Sequence, residues 1–414
     1  MKNKYFIPFF VLIFFISSLY GIDRRRDQYD FKPGYFFIPA PYSLPGIGEG
    51  IAFVGMASNV LDTQTDLMAD YITGDVKGYG IGFQDLYLVE KRFKLDLFHE
   101  GIDSATIQSY SFRGMNSDKE DYIYVTAEDL KFTGLRATAS YFEKRLEFYL
   151  MYYTNEYNIS AIKDKDEVLI ANTSDADTQD FDTYTTGFML DFTDDRVDPR
   201  KGLRYDYSLD YASDTGANAA DYYISNHNLT AYIPIGKQST WAFNYFKSDA
   251  HIISSGATDF DTIESSLGLD CDTLSGSDKT YCENLVNTNI DANKYGSAAS
   301  LGGRTRLRSY PEGRFIGAHT QFYGTEFRWN ITEENTPFNI WFMKDIRTSI
   351  QTAFFYEKGS VADNTDDLGK NEKKSYGLGL RLVTGSGLVY RLDAAAGDED
   401  FNYTVIINYP WEIF

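Results

Sequence analysis

The chain has 414 residues, a formal net charge of −21 and 16% aromatic residues, 33 of them Tyr and 31 Phe, yet its mean hydropathy is −0.36. So acidic a composition excludes nucleic acid as a partner, and past the N-terminus no run of the ~18 apolar residues that a spanning helix needs is present. A membrane-resident mature chain must then be a closed β-barrel, because only helices and closed barrels satisfy every backbone polar group in lipid.

Residues 1–21, "MKNKYFIPFFVLIFFISSLYG", carry two lysines, an apolar run from Tyr5 to Ile16 and then small residues. This is the pattern of a secretory signal peptide. The run is short for an anchoring helix, and Pro8 interrupts it. Residues 22–46, "IDRRRDQYDFKPGYFFIPAPYSLPG", are proline-rich and too short for a domain. They read as a periplasmic lead-in segment or a lumen plug, with the barrel proper over 47–414.

From there the chain alternates with period two. In "GLRYDYSLDY" Leu203, Tyr205, Tyr207, Leu209 and Tyr211 share one face, and Arg204, Asp206, Ser208 and Asp210 the other. "DIRTSIQTAFFYEKG" sets Ile350, Phe354 and Tyr356 against Ser349, Gln351 and Glu357, and "GLVYRLDAAAG" sets Leu388, Tyr390 and Leu392 against Arg391 and Asp393. Such strands have one apolar and one charged face. In a membrane barrel the first meets lipid and the second lines the lumen, and the abundant aromatics supply the girdles at the lipid–water interfaces.

Strands are expected over 47–59, 78–89, 92–101, 104–113, 121–128, 131–141, 145–160, 181–193, 202–213, 221–235, 240–252, 317–332, 341–357, 375–384, 387–396 and 401–409, with "DYIYVTAEDLKFTGLRATASYF" open to a second reading as one long strand in place of the fifth and sixth. That is an all-β transmembrane antiparallel barrel of about sixteen strands, an even number as bacterial barrels have. The connections fall into two sets, one mostly short and one holding the long segments 60–77, 161–180, 253–316 and 358–374. Short inner turns alternating with long outer loops is the barrel pattern. The 253–316 loop far exceeds the ~15 residues beyond which loops are uncommon. It holds Cys271 and Cys282, the chain's 2 cysteines, which form one disulfide in an exported protein or else remain two free thiols. Its "DFDTIESSLGLDCD" offers oxygens to Ca²⁺, but the spacing fits no EF-hand loop and the acids read as solvated. The 4 histidines are scattered, so no metal site and no cofactor is expected.

Three segments carry a resemblance. The long loop ends in Leu307-Arg308-Ser309-Tyr310-Pro311-Glu312-Gly313. The thirteenth expected strand runs into "FFYEKGSV", with Glu357 and Gly359. "DDRVDPRKGLRY" precedes the strand over 202–213. Together with the closing hairpin "YGLGLRLVTGSGLVYRLDAAAG" they resemble the BamA/TamA superfamily of outer-membrane assembly and translocation barrels, also called bacterial surface antigens. The first is similar to that family's hydrophobic-Arg-Gly-aromatic motif at the tip of the sixth outer loop, with Ser309 in place of Gly. The second is similar to its lumen-facing acidic motif on the thirteenth strand, with Glu357 in place of Asp. The third resembles its Asp-x-Arg-x-x-Pro-x-x-Gly turn. The lead-in, too short for the POTRA domains that family members usually carry, implies a barrel-only member.

The resemblance implies that the long loop folds into the lumen. Arg308 then anchors its tip by bidentate bonds to carboxylates, with Glu357 and Glu326 as the inward acids. It also implies a weak seam between first and last strands, and a C-terminal Phe414 similar to a sorting signal, although Pro410 breaks the ladder before it. No Gly-x-Ser-x-Gly elbow, P-loop or dinucleotide fingerprint occurs, so no enzyme is expected. The expected function is insertion or translocation of proteins, or of lipids, at the outer membrane. The expected partners are outer-membrane lipid, client outer-membrane proteins and a separate periplasmic protein. A passive channel, and an adhesin acting through acidic outer loops, are the competing readings.

Overall fold

The computed structural model describes residues 22–411 apart from 30–32, 111, 173–177, 213–217, 334–337, 341–342, 347 and 385–388. The signal-peptide segment and Phe414 lie outside these residues. Sixteen strands form the wall: β1 (Gly34–Leu44), β2 (Gly48–Ser58), β3 (Asp66–Gly74), β4 (Lys77–Val89), β5 (Phe93–Tyr110), β6 (Tyr122–Tyr141), β7 (Leu146–Lys163), β8 (Gln179–Thr193), β9 (Gly202–Ala212), β10 (Asp221–Ile235), β11 (Ser239–Ser254), β12 (His319–Asn330), β13 (Thr348–Ala362), β14 (Lys373–Thr384), β15 (Val389–Gly397) and β16 (Phe401–Ile407). Each pairs antiparallel with the next, and β16 returns to β1 to close the ring. Three short strands lie outside this wall, Leu169–Asn172 and the hairpin Phe338–Ile340 with Met343–Ile346.

The two faces follow the period-two pattern. On β12, Thr320, Glu326, Arg328 and Asn330 are buried toward the lumen, while Tyr323 and Trp329 stand exposed on the outside. Phe354, Leu378 and Leu380 are 56%, 59% and 47% exposed on neighbouring strands. A continuous apolar belt of this kind needs a covering phase, and lipid supplies it. Among the described residues no helix is long and apolar enough to cross a membrane, so the strands do the crossing.

All turns at one end of the barrel that lie within the described residues are short, such as 90–92, 142–145 and 194–201. The other end carries 255–318, the sixth connection on its side. This loop contains helices α1 (Phe260–Ser266) and α2 (Ser277–Tyr295), which the sequence reading did not anticipate. A disulfide between Cys271 and Cys282 joins the connecting segment to α2. Ile263, Val286 and Ile290 pack with it into a small core of their own.

The strand boundaries correct the expected ones in three places. The barrel begins at Gly34, not at 47, so the second half of the expected lead-in is a wall strand. Pro39 and Pro41 disguise it. They are two residues apart, so both missing N–H groups fall on the same edge, and the ladder to β2 is unbroken over the whole strand. The expected loop 60–77 contains β3. The pairs 92–101 with 104–113, and 121–128 with 131–141, are each one long strand. Their apparent breaks are bulges: the β4–β5 register shifts at Lys77/Gly78, and the β6–β7 register shifts across Glu128/Lys131, where Asp129 has φ 52°.

Candidate functional site

The sixth loop turns back into the barrel and buries its tip. Leu307 takes the left-handed conformation (φ 53°) and Ser309 does not, so the tip places its strained residue one position before the arginine. Arg308 is fully buried and spreads its guanidinium over three walls. Its Nε donates to Glu357 on β13 at 2.9 Å, its Nη1 to Asp393 on β15 at 2.6 Å and its Nη2 to Glu326 on β12 at 3.3 Å. Its backbone N–H also donates to Glu357, at 3.0 Å, and the guanidinium lies 3.4 Å over the Phe355 ring. Burial alone would lower the Arg308 pKa, but the carboxylates of Glu357, Asp393 and Glu326 raise it above the ordinary arginine value. The arginine is therefore a fixed cation.

The rest of the motif fastens the tip around it. Ser309 N–H donates to Ser375 Oγ at 3.0 Å, and Tyr310 OH to the Lys374 carbonyl at 3.1 Å. Pro311-Glu312-Gly313 forms the turn, and Glu312 N–H donates to the Pro45 carbonyl at 3.0 Å. Gly359 on β13 lets the loop approach the wall, since a Cβ there would come within 2.6 Å of Leu301.

The C-terminus joins the same cluster. β16 ends at Ile407, and the chain then turns into the lumen through Asn408 (φ 112°) and Pro410. Trp411 is buried, and its Nε1 donates to Glu357 Oε1 at 2.9 Å. Gly324 on β12 makes room for the indole, because a Cβ there would sit 2.7 Å from it. The expected last strand to 409 is thus cut at 407. Phe414, named as a sorting signal, lies outside the described residues.

The seam between β1 and β16 is the weak join of the ring. Among the described residues its register is a single pair, Ser43 opposite Val405, against eleven residues of unbroken pairing between β1 and β2. The prolines of β1 leave the β2 ladder intact, so their missing donors fall on the seam edge. Lower on that edge, Tyr35 pairs with Lys344 of the short hairpin. The sixth loop touches both flanks of the seam: Asn402 on β16 donates to the Ser309 carbonyl at 2.6 Å, and Glu312 bonds Pro45 in the β1–β2 turn.

At the short-turn end, residues 22–29 form a strap across the mouth. Arg24 pairs with Asp191 at 3.4 Å, Arg25 with Asp198 at 3.3 Å, and Arg26 with Asp195. These acids belong to β8 and the "DDRVDPRKG" turn.

A profile of the Omp85 superfamily domain matches residues 77–410. The chain belongs to the Omp85 superfamily. Omp85-family β-barrels sit in the bacterial outer membrane. Among solved Omp85 structures, CdiB from Escherichia coli is similar at 10% identity and a TM-score of 0.50, covering 89% of this chain and 62% of that one. BamA from Haemophilus ducreyi lacking POTRA domains 1-3 shares 12% identity over 91% of this chain and 70% of its own, with a TM-score of 0.48. CdiB from Acinetobacter baumannii shares 13% identity over 90% and 59%, with a TM-score of 0.46. This chain thus spans less than two thirds of either CdiB chain. No curated protein matches it in sequence.

Of the site residues read from the sequence, Arg308, Glu326 and Glu357 meet in one cluster of this Omp85 barrel. Asp393 and Trp411 were missed as members of it. Asp393 was legible as an inward position of its strand, in phase with Arg391. Trp411 was not, because nothing local announces that a C-terminal segment will leave the wall.

Proposed function

We propose that this barrel assists insertion or translocation of proteins at the bacterial outer membrane, reached through its N-terminal signal peptide, with clients delivered by a separate periplasmic protein. The observation that carries this reading is the pairing of a loop tip locked inside the barrel with a thin seam. The sixth-loop tip is locked by Arg308 among Glu326, Glu357 and Asp393, which supports a tip that stands in the axial path. The wall is weakest laterally, where one register pair joins β1 to β16. A passive channel needs the reverse, an open lumen and a uniform wall. Superfamily membership supports the same conclusion.

The test is depletion of the protein followed by quantification of every other outer-membrane protein. A selective fall in a few barrels or surface lipoproteins, rescued by the wild type and not by Arg308→Ala, is the expected result. Unchanged levels of all envelope proteins would remove the assembly reading.

A further inference from the structure

The turn 194–201 is far from the seam, yet both strands of the seam lead to it. It joins β8 to β9, so eight wall strands separate it from the seam in either direction. The strap 22–29 lies upstream of β1, and the tail 408–411 lies downstream of β16. One residue of each, Arg25 and Tyr409, reaches the same carboxylate. Asp198 Oδ2 faces Arg25 Nη2 at 3.3 Å and Arg200 Nε at 3.0 Å. Asp198 Oδ1 accepts from Tyr409 OH at 2.8 Å and from Gln351 Nε2 at 3.3 Å. The Asp198 carbonyl takes a further bond from Arg25 Nη2, at 2.6 Å. Asp198 and Tyr409 are both buried, so their bond forms out of water, where charge-assisted hydrogen bonds are strongest, while Arg25 reaches Asp198 with a partly exposed side chain.

We infer that Asp198 is the keeper of a latch that holds the seam shut from the inside, with Arg25 and Tyr409 as its two bolts. The seam's own ladder is too thin to define its closure, since one register pair and two prolines leave few backbone bonds. Closure is instead set by tying the segments on either side of the join to a third, rigid point on the opposite wall. Opening sideways requires β1 and β16 to move apart, and each movement pulls on a bond to the same carboxylate. Release of one bolt weakens the hold on the other, because Asp198 loses one of the partners that keep it charged and oriented in a buried site. The inference rests on the proposed lateral role of the seam, but its test does not use client insertion.

The test is hydrogen–deuterium exchange of the full mature chain in lipid nanodiscs, read peptide by peptide. In the unmodified protein β1 and β16 should be protected. In Tyr409→Phe and in Arg25→Gln, exchange across β1 and β16 should rise at least several-fold, and in Asp198→Asn by tenfold or more. The β5–β6 ladder, the most extensively paired part of the wall, should not change. The single-bolt variants remove one hydrogen-bonding group each and keep the test available if Asp198→Asn does not fold. Seam exchange that matches the unmodified protein in both single-bolt variants overturns the latch. So does a rise spread equally over β5–β6, which would report general loosening. A confirmed latch in a protein whose depletion alters no envelope protein would sink the assembly reading and leave the latch standing.

Discussion

Arg308 is where a single side chain decides the most. It is the guanidinium for which three wall strands supply acids, and Glu326 and Asp393 also hold other arginines, at 2.7 Å from Arg328 and 3.2 Å from Arg391. Glu357 does not. Without the Arg308 side chain it keeps, among the described residues, the Trp411 indole and the backbone N–H of residue 308 as its hydrogen-bond donors, neither of them a cation. Removing one partner of a buried pair costs about 3–5 kcal/mol, several times a surface pair. Arg308→Ala should therefore free the loop tip, seen as new protease cleavage within 299–318 while the barrel remains folded. Arg308→Lys should restore only part of the protection, because an ammonium cannot fork to three acids. Asp198 gives a pH signature at the same scale. Burial alone would raise its pKa, but Arg200, Arg25 and the Tyr409 hydroxyl bring it down from 3.8 to about 2. A carboxyl that titrates lower when folded stabilises the folded state fully above its unfolded pKa, and that contribution is lost as the pH falls toward the folded one. About 2 kcal/mol should disappear between pH 4 and pH 2. Thermal unfolding across that range should show a steeper loss in the wild type than in Asp198→Asn.

Elements were legible in the sequence to the extent that their information was local. The apolar and charged faces of β9, β13 and β15 were read correctly, because alternation is a property of neighbouring residues. The strand number agreed for compensating reasons: β1 and β3 were missed, and β5 and β6 were each divided. Prolines conceal β1, since whether a proline breaks a ladder depends on which edge it faces, and that is set by strands far away in the chain. The division of β6 fell between Glu128 and Lys131, where Asp129 makes a bulge that keeps the strand running. The site followed the same rule. Arg308 and Glu357 were found through a motif, whereas the meeting of strap, tail and turn at Asp198 joins residues more than 150 positions apart and leaves no local trace. The helical cap of the sixth loop makes a separable prediction. Cys271 and Cys282 close a loop of 11 residues, for which a disulfide contributes roughly 2–4 kcal/mol. The cap has its own small core around Ile263 and Val286 and does not share the lumen cluster. A Cys271→Ser, Cys282→Ser double variant should lose helical signal and become cleavable within 255–298, with the Arg308 anchor and barrel stability unchanged. Loss of protection at 299–318 as well would show that cap and tip fold as one unit.

For the whole molecule, size sets the problem that the inserts solve. A ring of sixteen strands is wide enough to hold an aqueous channel, and an unguarded one would leak. Here three segments enter the lumen from different places: the loop tip from one end, the C-terminal tail from the seam, and the strap 22–29 across the other mouth. The tip and the tail are fastened to one another as well as to the wall, since Trp411 bonds Glu357 beside Arg308 and its carbonyl accepts from Asn228 at 2.7 Å and Arg306 at 3.4 Å. The plug is therefore cooperative, and partial removal should open the pore more than the missing volume alone would. In planar bilayers the intact protein should conduct little and briefly. Trp411→Ala removes the indole that bonds Glu357 and lies 5.9 Å from the Arg308 guanidinium, and Arg308→Ala removes the anchor. Either alone should give intermittent openings, and the double variant a sustained conductance. Because the chain carries a formal charge of −21, the opened pore should favour cations, with selectivity falling as salt screens the field. The coupling is read from the double variant. Openings no more frequent than the sum of the singles would mean that tip and tail block the lumen independently. A steady conductance from the intact protein would mean that the three inserts do not seal it, and the passive channel would become the better account of the same barrel.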